Sequence, residues 1–486
     1  MTKSNLITRR EVITRSAAIG GATLLGVPDW LFAADMAPID ELRKIIRGEV
    51  ITPTDDGYDV ARQLWNGMID RRPLAIARCT GAADVMDVVN FARERNIPVT
   101  VRGGGHNVSG KALRDGALAI DLSRMRAIRV AAEHKSARAE GGATWAEFDH
   151  ETLAFRLNTT GGTVSTTGVG GLTLGGGLGW LMRKHGLTID NVLSADIVTA
   201  DGRLLTASAD ENPDLYWAIR GGGGNFGVVT SFEYRLHDLE PIVGGLAMYA
   251  EHQVRDMLQF FREYTSKAPD AVTTMGGIFA GPPGTPLEGQ SAGFVAVCHS
   301  GPRADGERLV RPIKEFGPPA IDGIGPMEYH ALQTMFDAGS GPGGRNYWRS
   351  NFMQELGDDA IDAMIESGKS MPKPGTMILL EHLGGAVGRV GAHETAFSNR
   401  DAQYNVSILT GWTDPADDEK NSAWTRKHGD ALKGFATGAG YVNYMTGDES
   451  AERVRATYEA NFQRLTAIKK KYDPTNFWSG NQNIAP

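Results

Sequence analysis

Pro98-Val99-Thr100-Val101-Arg102-Gly103-Gly104-Gly105-His106-Asn107 runs from an apolar strand pattern directly into three glycines and a histidine. Successive glycines let backbone N–H groups converge on an anion, and Arg102 adds charge beside them, so the loop predicts a pyrophosphate guest. His106 then sits beside that guest. Taken alone, a histidine after glycines is more often a loop residue with a satisfied hydrogen bond. Working outward, Leu74 to Arg78 reads as a strand, and Val85, Val88, Val89 and Ala92 share one helical face, which completes a strand, helix, strand unit. Short strands are predicted at 117–121, 126–130 and 136–140. A helix over Thr144 to Arg156 follows, opened by the capping-box pair Thr144 and Glu147. Asn191 to Thr206 reads as a hairpin turned at Asp201-Gly202, and Pro213 opens a helix ending at Arg220. A strand from Gly227 to Leu236 closes this lobe. The order is α+β rather than regularly doubly wound.

Two further glycine clusters stand in the same lobe. Gly168-Val169-Gly170-Gly171-Leu172-Thr173-Leu174-Gly175-Gly176-Gly177-Leu178-Gly179 is too glycine-dense to predict a helix or a packed strand. It fits the dinucleotide fingerprint G-x-G-x-x-G poorly, with no strand before it and no acid about 20 residues on. Gly221-Gly222-Gly223-Gly224-Asn225-Phe226-Gly227-Val228-Val229 joins a helix to a strand, and a plain helix C-cap accounts for one of those glycines, not four.

After Pro241 the texture changes. Gly293 to Val297, Met377 to Leu380 and Tyr404 to Thr410 read as strands, with helices at Val254 to Tyr264 and Asp358 to Ser367. A second lobe on a mostly antiparallel sheet flanked by helices is the expectation. Residues 281–286 and 339–344 are Gly/Pro-rich loops, and Ala451 to Lys471 reads as one helix stopped at Tyr472-Asp473-Pro474. With 486 residues the chain is too long for one ordinary domain. The divisions predicted are 35–240, 241–440 and a C-terminal segment 441–486. A net charge of -8 with scattered Lys and Arg argues against nucleic acid as a partner. Two cysteines, Cys79 and Cys298, and the absence of histidine pairs at ligand spacing argue against a disulfide framework or a metal site. At the N-terminus, Arg9-Arg10 precede the short apolar run Ala17 to Val27, which predicts a twin-arginine export signal over 1–34 and a periplasmic or secreted product. An ordinary amphipathic first helix, and with it a cytoplasmic protein, is the alternative. No later stretch reaches the length of a membrane anchor.

Together, R-G-G-G-H at 102–106, G-V-G-G-x-x-x-G-G-G-x-G at 168–179, D-N-V-L at 190–193, G-G-G-G-N-F-G-V-V-T at 221–230 and the tail Tyr472-Asp473-Pro474-Thr475-Asn476-Phe477 with Asn481-Gln482-Asn483 resemble the berberine-bridge-enzyme-like branch of the vanillyl-alcohol-oxidase flavoproteins. The match runs over roughly 48–486, and the segment Gly48 to Thr80 is similar to that of bacterial nicotine-oxidising members. The resemblance implies a two-subdomain FAD-binding lobe of the PCMH type, a substrate lobe over the isoalloxazine, and a tail returning to the flavin. It implies FAD bonded to His106. The motifs carry over as cofactor contacts Arg102, Gly103, Gly104, Gly105, Asn107, Ser109 and Gly110 from the first loop. Thr167, Gly168, Gly170, Gly171, Gly175, Gly177 and Gly179 come from the second, and Asn191, Val198, Asn225, Gly227, Val229, Asn481 and Asn483 from the rest. Doubly attached members carry a cysteine in C-P-T-V-G; here Val164-Ser165-Thr166-Thr167-Gly168 stands there, so a single attachment follows.

For the chemistry, a small organic substrate (alcohol, sugar or amine) gives a hydride to the flavin while a base or solvent takes its heteroatom proton. Glu381, at the end of the apolar run Met377 to Leu380, occupies the family strand that faces the substrate side. Tyr441-Val442-Asn443-Tyr444 matches the family's Tyr-x-Asn-Tyr segment, so Glu381, Tyr441 and Tyr444 are the catalytic candidates. The plainer readings are a surface strand end for Glu381 and packing for the tyrosines. Strand alternation would put Tyr441 and Asn443 on one face and Tyr444 on the other. Thr167 precedes G-V-G-G, where the family's small residues leave room for oxygen, so molecular oxygen is the expected acceptor and hydrogen peroxide the product. A dehydrogenase using another acceptor, and a non-catalytic flavin-binding protein, are the alternatives.

Overall fold

The computed structural model describes residues 39–486; the twin-arginine segment lies outside the described residues. Three large sheets and one two-stranded ribbon organise the described residues. In the first, Ala75–Arg78, Leu118–Asp121 and Val99–Arg102 run parallel, with Glu49–Ile51 added antiparallel at the edge. The helix Ala82–Glu94 carries the chain from Ala75–Arg78 to Val99–Arg102, on the far side of Leu118–Asp121, and buries Val85, Val88, Val89 and Ala92 on the way. The strand Val99–Arg102 therefore ends where the first glycine loop begins.

The second sheet is antiparallel, in the order Ile128–Ala131, Ser136–Glu140, Val228–Arg235, Val192–Val198, Leu204–Ser208. The hairpin predicted at Asp201-Gly202 joins its last two strands, and Gly202 takes φ 78°. The helix Trp145–Leu153 packs beneath this sheet. Thr144 and Glu147 close both arms of the capping box, with Glu147 Oε2 accepting from the Thr144 N–H at 2.9 Å.

An eight-stranded antiparallel sheet forms the second lobe. Its central strands, Val272–Ala280, Met377–His382 and Tyr404–Trp412, pair in register, and Arg345–Met353 closes the edge. Helix Val254–Thr265 places Val254, Met257, Leu258, Phe261 and Thr265 on one buried stripe against the outer face. The other face turns toward the first lobe. Among the described residues no helix is long and apolar enough to cross a membrane.

Three elements differ from the sequence reading. The glycine run at 168–179 contains a short helix, Val169–Leu174. Close backbone contact overrides glycine's low propensity here: a Cβ on Gly170 would stand 2.7 Å from the Gly141 carbonyl. The C-terminal helix is broken, into Ala451–Tyr458 and Phe462–Tyr472, by a turn at Glu459–Asn461 where Glu459 has φ 44°. The Asn461 amide donates to the Ala392 and Thr395 carbonyls, and those bonds hold the break. Finally, Val442–Tyr444 is a single 3-10 turn rather than a strand. Tyr441 and Tyr444 consequently point the same way, with ring centroids 4.9 Å apart.

Candidate active site

The glycine loops meet backbone to backbone. A Cβ on Gly104 would lie 2.5 Å from Gly168 Cα, and one on Gly103 would lie 2.9 Å from the Gly141 carbonyl. Only residues without side chains allow this approach. The loops leave a cleft of about 1590 Å³, counted to its open mouth, and Gly103, Gly104, Gly105, His106, Asn107 and Ser109 form one wall. Thr167, Gly168, Gly170 and Gly171 form a second wall; Asn225, Gly227, Val229 and Asn481 form a third.

Several residues singled out from the motifs do not line the cleft. The Arg102 guanidinium turns away and donates to the Ala61 carbonyl at 2.6 Å. The cation on the cleft wall is instead Lys111, whose Nζ donates to the Asn481 carbonyl at 3.0 Å. Gly110 packs on Ile69, Gly175 on Asn443, Gly177 on Thr188 and Gly179 on the Gly161 carbonyl, so these glycines let the loops close. Asn191 donates to the His185 and Leu187 carbonyls, each at 3.0 Å, and Val198 is buried in the sheet core. Asn483 is exposed, and the neighbouring Gln482 lines the cleft beside Asn481. Sequence reasoning also missed Tyr458, Trp65 and Trp348, lone aromatics with no motif around them.

His106 is held by two neighbours. Its ring stacks on Trp65 at 4.4 Å and 18°, and Nε2 lies 3.3 Å from Thr166 Oγ1. Burial brings its pKa down to about 4, so the imidazole is neutral at physiological pH and keeps a free lone pair. The thiols of Cys79 and Cys298 are buried in the cores and away from the cleft, with burial raising both pKa values.

The catalytic candidates come together at one end of this cleft, though at different depths. Tyr441 and Tyr444 line it, whereas Glu381 lies one hydrogen bond behind, fully buried rather than at a surface strand end. Tyr444 Oη donates to Glu381 Oε1 at 3.1 Å, and Asn405 Nδ2 donates to Oε2 at 2.6 Å. Burial pushes the Glu381 pKa up to about 7 against those two bonds. Tyr441 Oη accepts from the Gly177 N–H (3.0 Å), the Leu178 N–H (3.3 Å) and Asn443 Nδ2 (2.9 Å). Burial nevertheless raises its pKa to about 12, so it is a neutral phenol whose oxygen is already braced by donors.

The residues present suit a dinucleotide. Bare backbone faces the cleft on three sides, and the buried Tyr458 Oη on its wall has no partner among the described residues, as expected of a group meant for a ligand. A glycine-walled cleft ending in phenols and a carboxylate is the site of a flavin-dependent oxidoreductase. The FAD binding domain family model matches residues 73–208, and the berberine and berberine-like model matches 440–485. The (R)-6-hydroxynicotine oxidase of Paenarthrobacter nicotinovorans is 32% identical over 455 residues, covering 91% of this chain and 97% of that protein. A FAD-linked oxidoreductase of Dictyostelium discoideum is 31% identical over 456 residues, covering 92% and 97%. The crystal structure of 6-hydroxy-D-nicotine oxidase from Arthrobacter nicotinovorans superposes with a TM-score of 0.83 at 30% identity, covering 91% of this chain and 98% of that one. The chain belongs to the berberine-bridge-enzyme-like family of FAD-linked oxidoreductases.

Proposed function

We propose that the protein is an oxidase with one FAD attached covalently through His106, which oxidises a small organic substrate and passes the electrons to oxygen, giving hydrogen peroxide. The observation that carries this reading is the neutral, stacked imidazole of His106 in the cleft that Tyr441 and Tyr444 also line. When bound, the flavin supplies the acceptor for the substrate hydride. The glycine loops, Lys111, Tyr458 and Gln482 would hold it, and a neutral imidazole is the form able to bond to it. A single link is favoured because neither cysteine is near the cleft.

Tyr444 and Glu381 handle the substrate proton. The Tyr444 hydroxyl already gives its hydrogen to Glu381, so its oxygen can accept a heteroatom proton while the carboxylate takes the phenolic one. Glu381 acts only when ionised, which its pKa near 7 allows at neutral pH and above. The donors around Tyr441 Oη favour its phenolate, so Tyr441 becomes a second proton acceptor only where it has lost its own proton. Thr167 lines the cleft with a side chain no larger than valine, which leaves room for oxygen. Export by the twin-arginine route is part of the proposal, with the mature chain beginning near Ala34 or Asp35. In the native host, Arg9→Lys/Arg10→Lys should keep the protein in the cytoplasm, and an intact Met1 in wild-type cytoplasmic protein would refute export.

The test of the oxidase reading is reoxidation. Flavin reduced with one equivalent of dithionite and mixed with aerated buffer should return within seconds with stoichiometric peroxide. Reduced flavin that survives minutes in air yet reacts quickly with a quinone identifies a dehydrogenase.

A further inference from the structure

The plane of a histidine ring is set by a soft torsion with broad minima, so its neighbours have to fix it. For His106 those neighbours are the Trp65 indole, stacked on it at 4.4 Å and 18°, and Thr166 Oγ1, 3.3 Å from Nε2. All three belong to the first lobe. The segment 337–346 of the second lobe reaches both neighbours.

On the Trp65 side, the Ser340 carbonyl accepts the indole N–H at 2.7 Å, and the Gly343 N–H donates to the Trp65 carbonyl at 2.9 Å. Asn66, itself buried, continues the contact: its Oδ1 accepts the Asn346 N–H at 2.9 Å, and its Nδ2 donates to the Asn346 carbonyl at 2.9 Å. Gly67 leaves no room for a side chain at this junction, where a Cβ would stand 2.2 Å from the Gly343 carbonyl. The same short stretch grips the histidine loop on either side of His106. The Trp65 N–H donates to the Gly105 carbonyl at 3.2 Å, and Asn66 Nδ2 donates also to the Val108 carbonyl at 2.8 Å. On the Thr166 side, the Asp337 carboxylate accepts from the Ser165 N–H at 2.9 Å and from Ser165 Oγ at 2.6 Å, which fixes the residue before Thr166. The imidazole is thus aimed from the second lobe by two separate routes.

We infer that Trp65 is the positioning residue for attachment of FAD to His106, and that the segment 337–346 orients it, so the bond forms only once the second lobe has closed on the histidine loop. The inference rests on the covalent attachment proposed above and adds that holding FAD and attaching it have different determinants. Attachment replaces an imidazole N–H and a C–H of the flavin methyl group by an N–C bond; the two electrons and two protons released reduce the flavin, and oxygen takes them as hydrogen peroxide. Holding depends on the glycine walls and Lys111, whereas attachment needs one nitrogen aimed at one carbon, a requirement on which small misplacements tell most.

The test compares, in full-length protein harvested early in expression, the flavin kept by the acid-precipitated pellet with the total bound before precipitation. In Trp65→Ala the total should stay within about twofold of wild type while the covalent fraction falls at least ~fivefold. Trp65→Phe, which keeps a ring against the imidazole, should recover part of that loss. Asp337→Ala, which acts through the other route, should lower the covalent fraction by about twofold or more, and it carries the test by the same ratio if Trp65→Ala does not fold. Lys184→Ala removes a different bond between the lobes, from Lys184 Nζ to the Ser300 carbonyl, and should leave the fraction as in wild type. An unchanged fraction in Trp65→Ala or in Asp337→Ala, total and covalent flavin lost in proportion by folded protein, or an equal fall in Lys184→Ala overturns the inference and leaves attachment through His106 standing. A wild-type pellet without flavin overturns the attachment itself, and this inference with it.

Discussion

The two lobes build their halves of the site by opposite means. The first lobe uses backbone: its cleft exists because Gly103, Gly104, Gly168 and Gly170 lack side chains that would collide with a facing loop. The second lobe uses side chains placed by register, where Glu381, Asn405 and Trp348 reach one face only because three strands pair without slippage. A site of the first kind tolerates no added atom where its loops touch and is indifferent to titration. A site of the second kind accepts isosteric exchange but responds to charge.

The sharpest way to break that contrast is to add one methyl group. Gly104→Ala drives a Cβ into Gly168, and the loops must part, so loss of bound FAD and destabilisation by ~1–3 kcal/mol are expected. Gly171→Ala is the control on the same wall: its Cβ would meet nothing within 4 Å, so thermal stability should stay close to wild type. Equal damage from both would mean that the loop contact is not what shapes the cleft.

Next in size is the proton path. Glu381→Gln and Tyr441→Phe should each slow anaerobic flavin reduction by roughly tenfold or more if the residue accepts the substrate proton. The wild-type reduction rate should rise with pH through about 7, the Glu381 value, and the rise should disappear in Glu381→Gln. Stability carries the opposite sign. Folding raises this carboxyl's pKa from 4.5 to about 7, so between those values the native protein keeps a proton that the unfolded chain releases. Stability therefore falls as pH rises across that window, and thermal melts of Glu381→Gln should lack this part of the slope. A variant with an unchanged slope would show that the carboxyl is not neutralised by burial.

A smaller effect is expected at Thr167. Thr167→Leu should slow reoxidation by oxygen while leaving reduction by substrate nearly unchanged, because the side chain fills space on the cleft wall. Reoxidation at the wild-type rate would remove Thr167 from the oxygen path.

The same contrast explains what the sequence made legible. Glycine clusters announce a backbone site because little else requires three in a row, and all three clusters contribute to the cleft. Which glycines line the cleft was not legible. Gly175, Gly177 and Gly179 have the same letters as Gly170 and Gly171 but face Asn443, Thr188 and Gly161. Arg102 looked like the cation of the anion loop, yet its guanidinium follows the Ala61 carbonyl, and Lys111 takes the position facing the cleft. In the second lobe, Glu381 was legible as a carboxylate ending an apolar run, but its burial depends on the neighbouring strands. Its link to Tyr444 depends on a 3-10 turn that a strand pattern hides. Trp65, which stacks on His106, is distant in sequence from every motif.

The most direct test of the central claim is the fate of the flavin when the protein is denatured. Acid-precipitated wild-type protein should stay yellow, and after proteolysis the flavin mass should be found on the one peptide that carries His106. His106→Ala should release its flavin to the supernatant. A colourless wild-type pellet from fully loaded protein, or a covalent flavin retained in His106→Ala, would contradict the account.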